Sequence, residues 1–323
     1  MPDAFMSNLA TALTHLSVQR YRLALRASKR FHMPQYKGSA LRGILGHALR
    51  RTFCAAKAET CDGCMIAAQC VYCVVMESPV AEGHALARKY RNAPNPYVIE
   101  PADDDRDWYE TGDLLRFDLL LVGRAAAWLP SIVLALSQYG TGRGTPTPFT
   151  VASVACGAGA DEQMLFQAGR MTGASGFPPI TFSARPRGGA DSVTLTFETP
   201  VRVKQNDSLV TDLPFPLLVR SLAERIALLA HFHCGAPLAD VRLASEADGV
   251  AVTSSTLQWR DWKRYSSRQQ TSMKLGGLVG TVTYAGDLTP FLPLLLAGEV
   301  LHAGKATAFG LGKYHMKRRG VHH

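Results

Sequence analysis

The element order strand, helix, strand, strand, helix, strand can be read twice along this chain, and few folds satisfy that order once, let alone twice. In the first half, Ser17 to Ala27 alternates as a strand does, and Gly38 to Phe53 reads as a helix with an apolar stripe of Leu41, Ile44, Leu45 and Ala48. A weak strand near Tyr97 to Glu100, a stronger one from Leu114 to Val122, a helix from Pro130 to Tyr139 and a strand from Phe149 to Ala155 complete the set. The second half repeats it with a strand from Ser192 to Lys204 and a helix from Phe215 to Cys234. A long hairpin from Thr253 to Arg268 and Ser272 to Tyr284, a helix from Leu288 to His302 and a strand from Tyr314 to Lys317 follow. The class is therefore α+β, with two tandem ferredoxin-like (RRM-like) domains. The predicted boundaries are 1–156 for the first, with a Cys-rich insert at 54–73, a glycine- and proline-rich linker at 157–189, and 190–323 for the second.

The chain has 323 residues, 47% of them hydrophobic and 19% charged, which suits two packed cores and excludes a disordered chain. The longest apolar stretches, such as Ala125 to Leu136, fall short of the roughly 18 residues a membrane helix needs. Met1 to Leu13 lacks a basic start followed by an apolar core, so no signal peptide is read there and the expected compartment is the cytoplasm, with no membrane partner. The net charge is +9, and its distribution says more than its sum. From Ala4 to Ala58 there is no Asp or Glu, whereas Arg20, Arg22, Arg26, Lys29, Arg30, Lys37, Arg42, Arg50, Arg51 and Lys57 all fall there. Acidic residues gather instead between Glu100 and Asp118. A positive face and a nucleic-acid partner are predicted.

Near the C-terminus stands Gly304-Lys-Ala-Thr-Ala-Phe-Gly-Leu-Gly312, just after a helix. Glycines let main-chain N–H groups approach phosphate oxygens, and Lys305 and Lys313 add charge. The loop lacks the G-K-[ST] ending of a Walker loop; on its own it also fits an ordinary tight turn. Upstream, Arg260, Lys263, Arg264, Arg268 and Lys274 interleave with Trp259, Trp262 and Tyr265, a pattern that suits stacking on unpaired bases and holding of phosphates. Aromatics in the core with cations outside would give the same pattern.

The segment His302 to Tyr314 resembles the signature glycine-rich loop of the RAMP superfamily of CRISPR-associated proteins. Trp259-Arg-Asp-Trp-Lys-Arg-Tyr-Ser-Ser-Arg268, with Leu275-Gly-Gly-Leu-Val-Gly280 and Tyr284, resembles the C-terminal half of the CRISPR repeat-processing endoribonuclease family, and Gly38-Ser-Ala-Leu-Arg-Gly-Ile-Leu-Gly46 before a cysteine cluster is similar to its N-terminal part. The resemblance implies cleavage of CRISPR precursor RNA within its repeat, here taken as a hairpin, to make guide RNAs. It implies metal-independent attack by the 2′-hydroxyl, leaving a 2′,3′-cyclic phosphate and a 5′-hydroxyl. Such a protein must align the reacting groups and supply acid, base and positive charge. The alternative is a non-catalytic RAMP subunit holding guide RNA among the subunits of an effector complex. A homodimer is left open.

His47 is the leading catalytic candidate, on the first predicted helix, where several relatives place a histidine; an imidazole titrates near neutrality. Arg50 and Arg51 lie on its side of the helix at three- and four-residue spacing and can brace the transition-state charge. Tyr36 is a secondary catalytic candidate, and Lys37 and Arg42 are candidate RNA contacts, as are Gly304, Gly310 and Gly312 in the loop. His302, His231 and His233 are rivals to His47. No cofactor is expected in catalysis. Cys61-Asp-Gly-Cys64 and Cys70-Val-Tyr-Cys73 are two C-x-x-C pairs that can close a structural zinc site, with Cys54 as a substitute ligand; free thiols, a disulfide or an iron–sulfur cluster stay open as alternatives. Cys156 and Cys234 read as small core residues.

Overall fold

The computed structural model describes residues 2–57, 60–139, 148–157, 161–173, 177–186, 188–239, 245–266 and 271–319, with the main chain alone for 2–4, 245–246, 263–266 and 271–274. The chain divides into two compact units, Ser17–Ile180 and Met1–Leu16 with Thr181–His323, called here the N-terminal and C-terminal units.

In the N-terminal unit, β1 (Ser17–Ala27) leads to α2 (Lys37–Phe53), β2 (Tyr97–Pro101), β3 (Leu114–Val122), α3 (Leu129–Tyr139) and β4 (Phe149–Cys156), α1 being the Pro2–His15 helix described below. The sheet runs β2-β3-β1-β4, antiparallel throughout, which is the ferredoxin-like arrangement. Alternation along β1 sends Tyr21, Leu23 and Leu25 into the core and Arg20, Arg22 and Arg26 to the other face. Helix α2 buries Leu41, Leu45, Ala48 and Leu49; Ile44, assigned to the stripe from spacing, is only half-buried, and Leu49 takes its place.

The C-terminal unit repeats the plan with β7 (Ser192–Val201), α4 (Phe215–Cys234), β8 (Ala251–Ser255), a hairpin region, β12 (Gly277–Ala285), α5 (Leu292–Leu301) and β13 (Tyr314–Arg319). The short strands β5 (Gln163–Gln167) and β6 (Arg170–Met171) precede β7 and belong to the N-terminal unit, while β9 (Gln258–Arg260), β10 (Lys263–Ser266) and β11 (Thr271–Lys274) lie in the hairpin region. The sheet order β8-β12-β7-β13 reproduces that of the first unit. Phe215, Tyr284 and Phe291 meet in its core, with ring centroids 5.0 Å apart for Phe215–Tyr284 and 5.2 Å for Phe215–Phe291. Each such fully buried ring contributes about 1.5–3 kcal/mol by leaving water. The Tyr284 hydroxyl donates to the carbonyl of Leu213, 2.8 Å away, so its burial leaves no polar atom stranded.

The domain boundaries differ from those read in the sequence. Residues 2–15 form α1, which packs on α4 and α5 and so belongs to the C-terminal unit. Its Phe5, Leu9, Ala12 and Leu13 are buried, an amphipathic face that the sequence reading passed over. The stretch read as a linker is structured in part: β5 and β6 extend the first sheet beyond β4, burying Leu165 and Phe166. The glycine-rich stretch 140–144, which spacing in the sequence suggests as a turn before β4, lies outside the described residues. No helix of the described chain is long and apolar enough to cross a membrane.

Candidate nucleic-acid interface and catalytic helix

Folding redistributes the cationic N-terminal stretch. The register sets Arg22 opposite Asp118, and Asp118 opposite Glu100 on the next strand. Arg20 donates to both oxygens of Glu100 at 3.1 Å and to Asp118 at 2.9 Å, while Arg22 pairs with Asp118 and Glu162. Acids far away in sequence thus neutralise two of the arginines assigned to a positive face. Arg30 pairs with Glu110 at 2.9 Å and lies over the exposed Trp108 ring.

Helix α2 carries the candidate catalytic group. His47 and Arg51 are exposed on the side away from the buried stripe, and Arg50 is half-exposed with its guanidinium 5.7 Å from the centre of the Tyr72 ring. Arg50 and Arg51 also lie in the last turn, where the helix dipole favours cations. Gly46 lets the segment that follows the insert approach this helix: a Cβ there would meet the Met76 methyl at 2.9 Å.

Tyr36 and Lys37 face inward at the other end of α2. Burial, reinforced by Glu100, pushes the Tyr36 phenol far above its ordinary range, which suits a fixed hydroxyl and not a proton shuttle at neutral pH. Lys37 is 3% exposed and its ammonium donates to the carbonyl of Asp104. It therefore anchors the helix start and does not stand ready for a phosphate. Arg42 is half-buried.

The end of the Cys-rich insert and the residues just after it fold against the unit: Val71 to Met76 are all buried. Burial pushes the Cys73 and Cys61 thiols up, and the two are hydrogen-bonded to each other, with Cys70 a near neighbour of both. Among the described residues no group of three or more His, Cys, Asp and Glu is placed to hold a metal ion. All seven cysteines are free thiols. Cys156 is buried, as read, while Cys234 is half-exposed.

In the C-terminal unit the glycine-rich loop closes on itself and on β7. Gly304, Gly310 and Gly312 all take left-handed backbone angles, with φ of 80°, 82° and 75°. A Cβ at Gly304 would strike the main chain of Arg202, and one at Gly312 the carbonyl of Ala303. The N–H groups of Lys305, Gly310, Gly312 and Lys313 donate within the protein, to Arg202 O, Thr307 O, Pro200 O and Thr199 Oγ1. The glycines therefore serve backbone packing first, and these amides are not aimed at phosphate. What the loop presents outward is the exposed Lys305 side chain. Lys313 pairs with Glu198 at 3.2 Å.

His302, one of the rivals, is fully buried with Nδ1 3.2 Å from Leu311 O, so it supports the loop from beneath. His233 is buried, and the His231 ring lies against the Ala236 carbonyl just past the helix end. Trp259 and Arg260 are exposed on β9. Lys263 lies on β10 and is paired in register with Lys274 of β11, as Arg264 is with Met273. Arg268 lies outside the described residues.

Sequence reasoning missed three residues that organise this region. Thr199 accepts from Lys313 N–H and donates to Gly310 O, both at 2.8 Å. Arg225 holds the end of α5 through Leu301 O, and Arg202 touches both the loop and the hairpin base. Only the chemical oddity of an arginine among the apolar positions of α4 signalled any of them.

The chain thus consists of two ferredoxin-like units in tandem, the second bearing a glycine-rich loop and a hairpin with Trp259 and Arg260 exposed. Residues 195–314 match the family described as CRISPR-associated endoribonuclease Cas6, and residues 16–175 match a family described as an N-terminal domain. A Thermus thermophilus Cas6 solved as a product complex superposes with a TM-score of 0.53 at 17% identity, covering 93% of this chain and 99% of that one. Chains of a partial Cas6-RT-Cas1–Cas2 complex and of a Cas6-RT-Cas1–Cas2 complex each superpose with a TM-score of 0.55 at 15% identity and cover 95% of this chain. This chain spans only 47% and 29% of those two chains. No curated protein matches by sequence.

Proposed function

We propose that this protein cuts CRISPR precursor RNA within its repeat, by in-line attack of the 2′-hydroxyl on the adjacent phosphate without a metal ion. The products are a 2′,3′-cyclic phosphate and a 5′-hydroxyl. The observation that carries this reading is the family match over residues 195–314, which contain both the hairpin and the glycine-rich loop. In this reading Trp259 stacks on an unpaired base, and Arg260 and Lys305 hold phosphates. His47 moves the proton, and Arg51, with Arg50 behind it, faces the charge that builds on the phosphate. The product complex of the Thermus thermophilus relative supports an RNA-processing role. The Cas6-RT-Cas1–Cas2 chains support CRISPR-associated partners.

The test is incubation of purified protein with a repeat RNA in EDTA. One cut ending in a cyclic phosphate supports the proposal. Tight binding without cleavage supports the guide-holding alternative.

A further inference from the structure

Three glycines from two separate segments close on a single residue in the C-terminal unit, Gly304 on the main chain of Arg202 and Gly276 and Gly277 on its side chain. Arg202 follows β7 directly and forms an isolated parallel bridge with Gly304; its carbonyl accepts from Lys305 N–H at 2.8 Å. Its guanidinium reaches the other way and donates from Nη1 to Gly276 O at 2.7 Å. Gly277 lies so close that a Cβ there would meet Arg202 Cγ at 3.0 Å and Val201 O at 2.7 Å. A Cβ on Gly276 would collide with Asp261 and with the Trp259 ring at 2.7 Å. The Trp259 indole N–H donates to Asp261 Oδ1 at 3.0 Å, and the same Asp261 opposes the effect of burial on the Arg202 charge. A continuous path of contacts thus runs from the loop, through Arg202, to the exposed Trp259.

We propose that Arg202 is the positioning residue that joins the two RNA-contacting elements. Its main chain sets Gly304 and Lys305, its side chain sets the base of the hairpin, and the two elements therefore engage one RNA strand as a unit. The assignment rests on the reading that hairpin and loop bind repeat RNA. The main-chain half of the junction survives truncation of the side chain, so Arg202→Ala uncouples the elements without deleting either. A direct phosphate contact would behave differently. It would lower the slope of log affinity against log salt by about 0.7–0.9, whereas a positioning residue leaves that slope as it was.

The experiment is a binding cycle with repeat RNA across a salt series, using wild type, Arg202→Ala, Trp259→Ala, Lys305→Ala and the doubles Arg202→Ala with each. Hydrogen exchange of the unliganded proteins is measured alongside. The expected result is that loss of Trp259 weakens binding less in the Arg202→Ala background than in wild type, by about fivefold or more. The salt slope of Arg202→Ala stays at the wild-type value. Exchange in 275–280 and 303–313 rises together in Arg202→Ala, and Arg202→Lys, which keeps a donor for Gly276 O, restores part of the protection. Independent multiplicative losses, a reduced slope, or a rise in only one segment overturns the assignment. Should wild type fail to bind repeat RNA, the RNA reading falls, and the exchange result alone decides whether Arg202 couples the two segments.

Discussion

Arg225 and Leu301 meet inside the C-terminal unit, where the guanidinium donates from Nε at 3.3 Å and from Nη2 at 3.2 Å to the last carbonyl of α5. Burial brings the Arg225 pKa down to about 10, so the group is still charged at neutral pH. The carbonyl it caps would otherwise be an orphan at a buried helix end. Truncation to Ala is expected to destabilise the protein by about 2–4 kcal/mol, from the stranded carbonyl and the cavity together. Urea unfolding checks this. The next residue, His302, holds φ 64° and ψ 157°, a region that costs a non-glycine residue about 1–3 kcal/mol. His302→Gly is therefore expected to unfold at higher urea than His302→Ala, although both lose the bond to Leu311 O.

The loop glycines should separate from other glycines in the same way. Gly312→Ala and Gly304→Ala place a methyl against main chain that cannot move aside, in a left-handed conformation as well. Each is expected to lower the melting temperature and weaken RNA binding. Gly43→Ala is the control: it lies in α2 with nothing within 4 Å of a new Cβ, and is expected to stabilise by about 0.5–1 kcal/mol.

Asp104 gives a pH dependence with a definite sign. Its carboxylate accepts from the Arg106 side chain at 2.9–3.1 Å, from Arg106 N–H at 2.9 Å and from the Tyr109 hydroxyl at 2.9 Å. The Arg106 bonds hold its pKa well below the usual carboxylate range. A depressed folded-state pKa adds stability that is complete above the unfolded value of about 3.9 and fades as pH falls below it. The stability gap between wild type and Asp104→Asn is therefore expected to be constant from pH 5 to 8 and to shrink below about pH 4. Denaturation midpoints across that range measure it, and a gap that widens on acidification would be the wrong sign.

The cysteine insert makes a separate claim. Cys61 and Cys73 share a hydrogen bond, burial pushes both thiols up, and among the described residues no group of three or more potential ligands is placed to hold a metal ion. Reduced protein is expected to titrate with seven reactive thiols after unfolding and to carry no stoichiometric zinc by elemental analysis. One zinc per chain would mean that Cys61, Cys64, Cys70 and Cys73 deprotonate and draw together into the tetrahedral site that their spacing first suggested.

The repeated element order was readable because alternation in β1, β3 and β7 and helical spacing in α2, α3 and α4 are local signals. Helix α1 carries the same local signal in the spacing of Phe5, Leu9, Ala12 and Leu13; what the sequence does not show is that its partners are α4 and α5, at the other end of the chain. Charge was harder to read still. The acid-free run before Ala58 looks uniformly cationic until sheet register brings Glu100 and Asp118 across to Arg20 and Arg22. The glycine loop was visible as a motif, but its reason was not. Composition suggests amides open to phosphate, whereas Gly304 and Gly312 are small because Arg202 and Ala303 lie against them. A residue such as Arg202 carries no periodic or compositional mark; only the fold shows what it joins.

In the proposed reaction the exposed His47 on α2 moves the proton as repeat RNA is cleaved. Single-turnover cleavage in EDTA, run beside equilibrium binding for wild type and His47→Ala, tests it most directly. The expected result is a drop in cleavage rate of about 100- to 10,000-fold with RNA affinity unchanged. Cleavage by His47→Ala at the wild-type rate would contradict the account.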